Sequence, residues 1–235
     1  MDDDANRQDG PDLTDTPGST ADVDGQRSTR PGYAAGRQTR RAILESASRL
    51  FRERGLAGAS KSEIAKEAGV FPSQLGYYFG NKEALFVEAA CRDLLHLATD
   101  VESAAARART PTTYMRALVR TALDSPTLLF FIEAVLIVRN HPELAARVTD
   151  AIERLHREGE RAVVENLVKR GWRLRASGAA EARGFWAAVL GVALERSAFG
   201  EAFRPDTAEG TIQLVLNVHE LPRKSDPQSS RRSAT

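Results

Sequence analysis

The residues best suited to chemistry lie between Ser60 and Lys82. There Ser60, Lys61, Ser62, Ser73, Gln74, Tyr77, Tyr78 and Lys82 gather hydroxyl, carboxamide, phenol and amine groups. Such groups suit contact with a nucleic acid duplex. A glutamine such as Gln74 can form a bidentate pair with adenine, lysines such as Lys61 and Lys82 can neutralise phosphates, and the Tyr77 hydroxyl can donate to a phosphate oxygen. Lysines taken singly are ordinary solvated surface groups, so position must decide. Other chemistries lack their groups. His96, His141, His156 and His219 do not show the spacing of metal ligands, so neither a metal nor a cofactor is expected. There is no phosphate-cradling glycine loop and no nucleophile elbow, which argues against an enzyme. Cys91 is the single cysteine, which excludes an intramolecular disulfide, and it is expected to pack within a helix.

Presenting these groups to a duplex requires helices at a fixed angle. Apolar positions recur every three or four residues, and no alternation marks a strand. A first helix is expected over residues 39–55, with Ile43, Leu44, Ala47, Leu50 and Phe51 on one stripe and Gly55 at its end. Ser60 caps a second helix over 60–68, Gly69 makes a turn, and Pro72 opens a third helix over 72–79. Asn81 caps a fourth. The second and third helices, held by Ile64, Val70, Leu75 and Phe79, have the spacing of a helix-turn-helix. In that motif the first of the pair crosses the DNA backbone and the second enters the major groove. A glycine turn between two amphipathic helices also occurs in proteins that never touch DNA.

Residues 60–86, SKSEIAKEAGVFPSQLGYYFGNKEALF, closely resemble the helix-turn-helix signature of the TetR family of regulators, a match that runs over about residues 37–95. The resemblance implies an all-α chain: a three-helix DNA-binding domain followed by a helical ligand-binding and dimerisation domain. It implies a homodimeric repressor that holds an inverted-repeat operator in double-stranded DNA until a small-molecule inducer releases it. It further implies phosphate contacts from Ser60, Lys61 and Ser62. Base or backbone contacts fall to Pro72, Ser73, Gln74, Tyr77 and Tyr78, and a phosphate contact to Lys82. Two readings of Tyr78 stand, a DNA contact and a ring packed on the first helix. Phe71 departs from the family pattern by replacing the small hydroxyl residue that would cap the recognition helix. Gly76 departs by replacing a common tyrosine, at a helix cost of about 1 kcal/mol.

With 235 residues, 42% of them hydrophobic, the chain can form one large or two small domains. Its net charge of +1 conceals an uneven distribution. Residues 1–36 carry eight acids against three bases and read as a disordered acidic leader of net charge −5. Residues 37–83 carry nine bases against five acids, net +4, and form the expected DNA-binding domain, with its motif at 60–79. Residues 84–221 form the expected second domain, and 222–235 a flexible basic tail. Arg30, Arg37, Arg40 and Arg41 make either a basic arm toward DNA or a solvated helix start. The acidic N-terminus lacks the form of a secretory signal, and the longest apolar run, 128–138, is interrupted by Glu133 and is shorter than the roughly 20 residues of a membrane span. These features favour the cytoplasm and no membrane partner.

Beyond residue 82, helices are expected over 82–107, 112–123, 126–140, 142–171, 179–203 and 206–218. Tyr114, Met115, Phe130, Phe131, Glu133 and Ile137 lie on the central ones. Of these, Phe130, Phe131, Glu133 and Ile137 are the candidate ligand contacts, with Glu133 either a polar anchor or a solvent-facing carboxylate. Phe185, Val189 and Val192, with Ile212, Val215 and Leu216 of the last helix, are the candidate dimer seam or else an intramolecular core. Two competing functions remain open at this point: an all-helical small-molecule-binding protein or enzyme using a central cavity, and a scaffold or activator of the same fold that answers no ligand.

Overall fold

The computed structural model describes residues 31–173, 176–204, 210, 212, 219 and 220. Helix α1 spans Pro31–Gly58 and kinks at Gly55, whose φ of 68° falls where a side chain would be strained. It begins well before the expected residue 39, and the boundary drawn at residue 36 falls inside it. The reason is local: after Pro31, a favoured first helical residue, Ala34 and Ala35 are good helix formers and the Thr39 hydroxyl donates to the Ala35 carbonyl at 3.0 Å. The rest of the expected leader, Arg30 included, and the basic tail lie outside the described residues.

Two short helices follow, α2 (Lys61–Ala68) and α3 (Pro72–Phe79), and then the long α4 (Lys82–Ala105). The Ser60 side chain accepts the Glu63 N–H at 3.1 Å while the Glu63 carboxylate accepts the Ser60 N–H at 2.9 Å, a reciprocal cap on α2. Gly69 ends α2 at a φ of 67°, with its N–H directed to the carbonyls of Ala65 and Lys66. Asn81 Oδ1 accepts the Ala84 N–H at 2.6 Å and so starts α4.

The second domain comprises α5 (Pro111–Leu123), α6 (Thr127–Val138), α7 (Ala145–Val168, entered through a 3₁₀ turn at Pro142–Leu144) and α8 (Gly178–Phe199, leaving through a 3₁₀ turn at Gly200–Ala202). A two-residue antiparallel pair, β1 (Trp172–Arg173) with β2 (His219–Glu220), sets Trp172 opposite Glu220. It is too short to leave an alternation in the sequence, so the expectation of no strand is corrected there. Of the helix expected over 206–218, Gly210 and Ile212 are described, both helical, and Val215 and Leu216 lie outside the described residues.

Helix α4 is the hub, packing on α1, α5, α6 and α7. Its joint with α1 is aromatic: Phe86 lies 4.8 Å from Phe51 of α1 and 4.8 Å from Phe130 of α6, centroid to centroid. One contiguous core therefore runs from the first domain into the second. Beside it sits a buried polar joint, in which Asp93 of α4 accepts the Ser48 hydroxyl at 3.1 Å and faces Arg92 and Arg52 at 3.2 and 3.3 Å. Among the described residues no single helix is long and apolar enough to cross a membrane. The bent pair α5–α6 matches a span by composition, and it buries Tyr114, Val119, Leu128, Phe130 and Phe131 in the core.

Candidate nucleic-acid interface and ligand cavity

Helix α3 is seated by two buried side chains, Leu75 and Phe79, while α2 is seated by Ile64 and Ala65. Burying those faces turns the polar face of α3 outward. Ser60, Lys61, Ser62, Pro72 and Ser73 are exposed, and Tyr77 is 83% exposed. Gly76 is exposed as well, and a β-carbon there would meet nothing within 4 Å. Its missing side chain is therefore missing from the outward face, where it lets the α3 backbone approach a surface more closely.

Other residues of the set are partly committed. Gln74 is half-buried, and its Oε1 accepts the Phe71 N–H at 3.0 Å, so one lone pair of the oxygen that a bidentate adenine pair would use is engaged and that oxygen is held toward the start of α3. That bond also resolves the Phe71 departure: the glutamine caps α3 from its third residue, and Phe71, lacking a capping oxygen, projects outward at 77% exposure. Tyr78 is half-buried and stacks edge-on against Tyr77 at 5.0 Å. A β-carbon on Gly36 would sit 3.5 Å from Tyr78 Oη, so this ring packs along the N-terminal turns of α1. Lys82 is half-buried and its Nζ donates to the Ala59 carbonyl at 3.2 Å, which ties α4 to the α1–α2 loop.

The basic surplus of the first domain is largely paired. Arg40 is not part of an arm: it bonds Glu88, which also holds Arg147 at 2.8 Å, and its guanidinium lies 5.1 Å from the Phe79 ring centroid. Arg41 pairs with Glu45 at 2.7 Å, Arg49 with Glu53 and Glu67, and Arg54 with Glu63 at 3.0 Å. Lys61 and Lys66 have no ion pair among the described residues and sit on the exposed side of α2.

In the second domain a cavity of about 140 Å³ opens between α4, α5, α7 and α8. Tyr114, Met115, Leu118, Phe185 and Trp186 give it an apolar wall, and Glu102, Glu158 and Glu181 bring carboxylates. The expected ligand contacts are elsewhere. Phe130 is buried against Phe51 and Phe86 in the joint between domains, Phe131 is buried in the core, Glu133 of α6 is exposed and Ile137 is half-buried outside the cavity wall. The apolar run of α6 packs on α4, α8 and α1 and lines no part of this cavity. Partial burial still pushes the Glu133 carboxyl above its usual value. Sequence reasoning missed Glu181, although the signal was there: it stands one turn before Phe185 and two before Val189, on the inward stripe of α8.

Four residues of the expected dimer seam fall on the intramolecular side of the two readings. Phe185, Val189, Val192 and Ile212 are buried within the protomer, Val189 and Ile212 completely. Helix α8 packs on α7 and turns Ala182, Phe185, Trp186, Val189, Val192 and Ala193 inward, while Ala187, Gly191 and Ala198 are exposed, with Leu194 at 52% and Phe199 at 61% exposure.

Comparison with known proteins places this geometry in a family. The family model for bacterial regulatory proteins of the tetR family matches residues 43–89, and the model described as bacterial transcriptional repressor C-terminal matches residues 111–216. An HTH-type transcriptional regulator BetI from Rhizobium meliloti is 38% identical over 84 residues, which are 35% of this chain and 41% of that one. The Brucella canis regulator of the same name is 28% identical over 194 residues, covering 81% of this chain and 94% of that one. A crystal structure of a putative transcriptional regulator from Rhodococcus sp. RHA1 superposes with a TM-score of 0.68 at 34% identity, covering 78% of this chain and 95% of that one. A regulator from Saccharomonospora viridis, solved in complex with choline, shares the fold at a TM-score of 0.55 and 21% identity, covering 79% of this chain and 100% of that one. The chain belongs to the TetR family of DNA-binding transcriptional regulators.

Proposed function

We propose that this regulator reads DNA with the outward face of α3, as a homodimer on an inverted repeat, and leaves it when a small molecule enters the cavity between α4, α5, α7 and α8. Ser73 and Tyr77 meet the groove and its phosphates, and the Gln74 amide donates to an acceptor on a base edge such as a purine N7. Ser60, Lys61, Ser62 and Pro72 meet the flanking backbone, where Lys61 is an exposed cation without an ion pair among the described residues. Tyr78 and Lys82 hold the reading head in shape first, through the Gly36 approach and the Ala59 carbonyl, and reach phosphate at its margin.

The dimer forms through the small-residue face of α8. Ala187, Gly191 and Ala198 permit close helix approach, and Leu194 and Phe199 offer apolar area that a partner would cover. Two-fold symmetry then sets the two recognition helices about 34 Å apart, or a multiple of it, to match half-sites one turn apart. Helix α4 spans from the reading head to the cavity, so a change at its cavity end alters that separation.

The observation that carries this reading is the exposed face of α3 on a helix whose opposite face is locked by Leu75 and Phe79. The test is selection of bound DNA from random duplexes by the purified protein. An enriched palindromic consensus is expected, with affinity that falls steeply as salt rises. Recovery of unrelated sequences, or a flat salt response, would reject it.

A further inference from the structure

We propose that Phe71 is a specificity-determining residue that lays its ring on the C5 methyl group of one thymine in each half-site. This rests on the reading of α3 as the element that enters the major groove. Placement comes first. Phe71 is the N-cap of α3, and the N-terminal end of a recognition helix is the part that reaches base edges. It is 77% exposed, and over residues 37–83 the other large apolar side chain left exposed is Tyr77.

The backbone that carries this ring is held from both sides. Pro72 restricts the residue before it to extended conformations, and Phe71 sits there at φ −76° and ψ 142°. Its N–H goes to Gln74 Oε1 at 3.0 Å, and its carbonyl accepts the Gln74 N–H at 2.9 Å. On the other side Val70 donates its N–H to the Ala65 carbonyl at 2.9 Å and packs against the core. The ring is therefore presented at little further cost in backbone entropy. Gly76, one turn beyond Pro72, is exposed, and no side chain at that position holds α3 off the floor of the groove.

Chemistry then selects the base. A phenyl ring has neither donor nor acceptor. The major-groove edges of guanine, adenine and cytosine present N7, O6, N6 or N4, and a ring laid over these strips their water without replacing the hydrogen bonds. A phosphate beneath the ring loses more still. The thymine methyl is the one apolar group on that edge, so contact with it buries two apolar surfaces at once. Burying one methyl group changes affinity by about threefold to fivefold, and two half-sites multiply this to about 10- to 25-fold.

The experiment uses the full chain and the duplex enriched from random sequence, with deoxyuridine placed at each thymine in turn, symmetrically in both half-sites. Uracil keeps the base pair and the O4 acceptor and loses the methyl alone. At one thymine position the exchange is expected to raise Kd about 10- to 25-fold. Phe71→Ala is expected to weaken the thymine duplex at least tenfold and to bind the thymine and uracil forms of that position within twofold of each other. Phe71→Ser supplies an oxygen that can cap α3, and it is expected to lack the methyl dependence as well, which separates contact from capping. Phe71 lies outside the buried core, and thermal melts confirm that both variants are folded. An enriched duplex without thymine, a wild-type chain indifferent to uracil at every position, or a uracil penalty that Phe71→Ala leaves intact overturns the proposal and leaves the reading of α3 standing. Selection that enriches no sequence overturns the two together.

Discussion

Replacing Arg170 with alanine tests how the cavity wall is tied to the connecting helix. Its guanidinium donates to the carbonyls of Ala106 and Ala108 at 2.5 and 2.8 Å, just past the end of α4, and lies 5.7 Å from Tyr114 and 5.1 Å from Trp172. Hydrogen bonds from a charged donor contribute about 1.5–3 kcal/mol each when water is excluded, and a cation–π contact at a partly exposed site about 0.5–1 kcal/mol. Arg170 is half-buried, so water replaces part of each contact, and the contacts share one side chain. A loss of about 1.5–3 kcal/mol follows, or a fall in Tm of about 3–12 °C for a chain of this size. Arg170→Lys keeps the charge but can reach one carbonyl at a time and cannot lie flat on a ring, so it should recover less than half of the loss. Thermal melts followed by circular dichroism at neutral pH measure both. A Tm within 1 °C of wild type for the alanine variant would refute the reasoning. Full recovery by lysine would reduce it to a charge placed near a helix C-terminus.

Three further outcomes follow from the same structure. Asp93→Asn should cost about 1–2 kcal/mol in urea unfolding, because it leaves Arg52 and Arg92 facing a neutral group, yet both reach solvent and are screened; a change below 0.5 kcal/mol contradicts the polar joint. Gly69→Ala should cost about 1 kcal/mol from the left-handed backbone alone, since a β-carbon meets nothing there, and a neutral melt would be the wrong result. Burial pushes the Cys91 thiol up to about 12 from its usual 9.0. The folded chain keeps this proton where the unfolded chain loses it, so the contribution is complete below about pH 9 and is lost progressively between pH 9 and 12. Iodoacetamide at pH 8 should therefore label the unfolded chain and spare the folded one.

What the sequence disclosed depended on how local the signal was. The cap at Ser60, the turn at Gly69 and the start at Pro72 are each written within a few residues, and α2 and α3 form where those residues predict. The start of α1 was misplaced because Pro31 and two alanines sit in a stretch whose composition otherwise argues for disorder. The cavity was misplaced for a non-local reason. The residues of α6 are apolar enough to line a pocket, and nothing local tells that Phe130 is spent against Phe51 and Phe86. Likewise, α8 carries apolar side chains on more than one face, and the position of α7 decides that Phe185, Val189 and Val192 turn inward while Leu194 and Phe199 stay exposed. The Gln74 cap and the Lys82 contact with Ala59 depend on tertiary placement in the same way.

The most direct measurement is the affinity of the selected duplex for the Ser73→Ala, Gln74→Ala, Tyr77→Ala variant, made at a temperature where the variant is folded. None of the three side chains belongs to the buried core of the reading head. Two or three lost contacts of about 1–1.5 kcal/mol each predict at least a roughly 30-fold rise in Kd. An affinity within threefold of wild type would mean that some other surface binds the DNA.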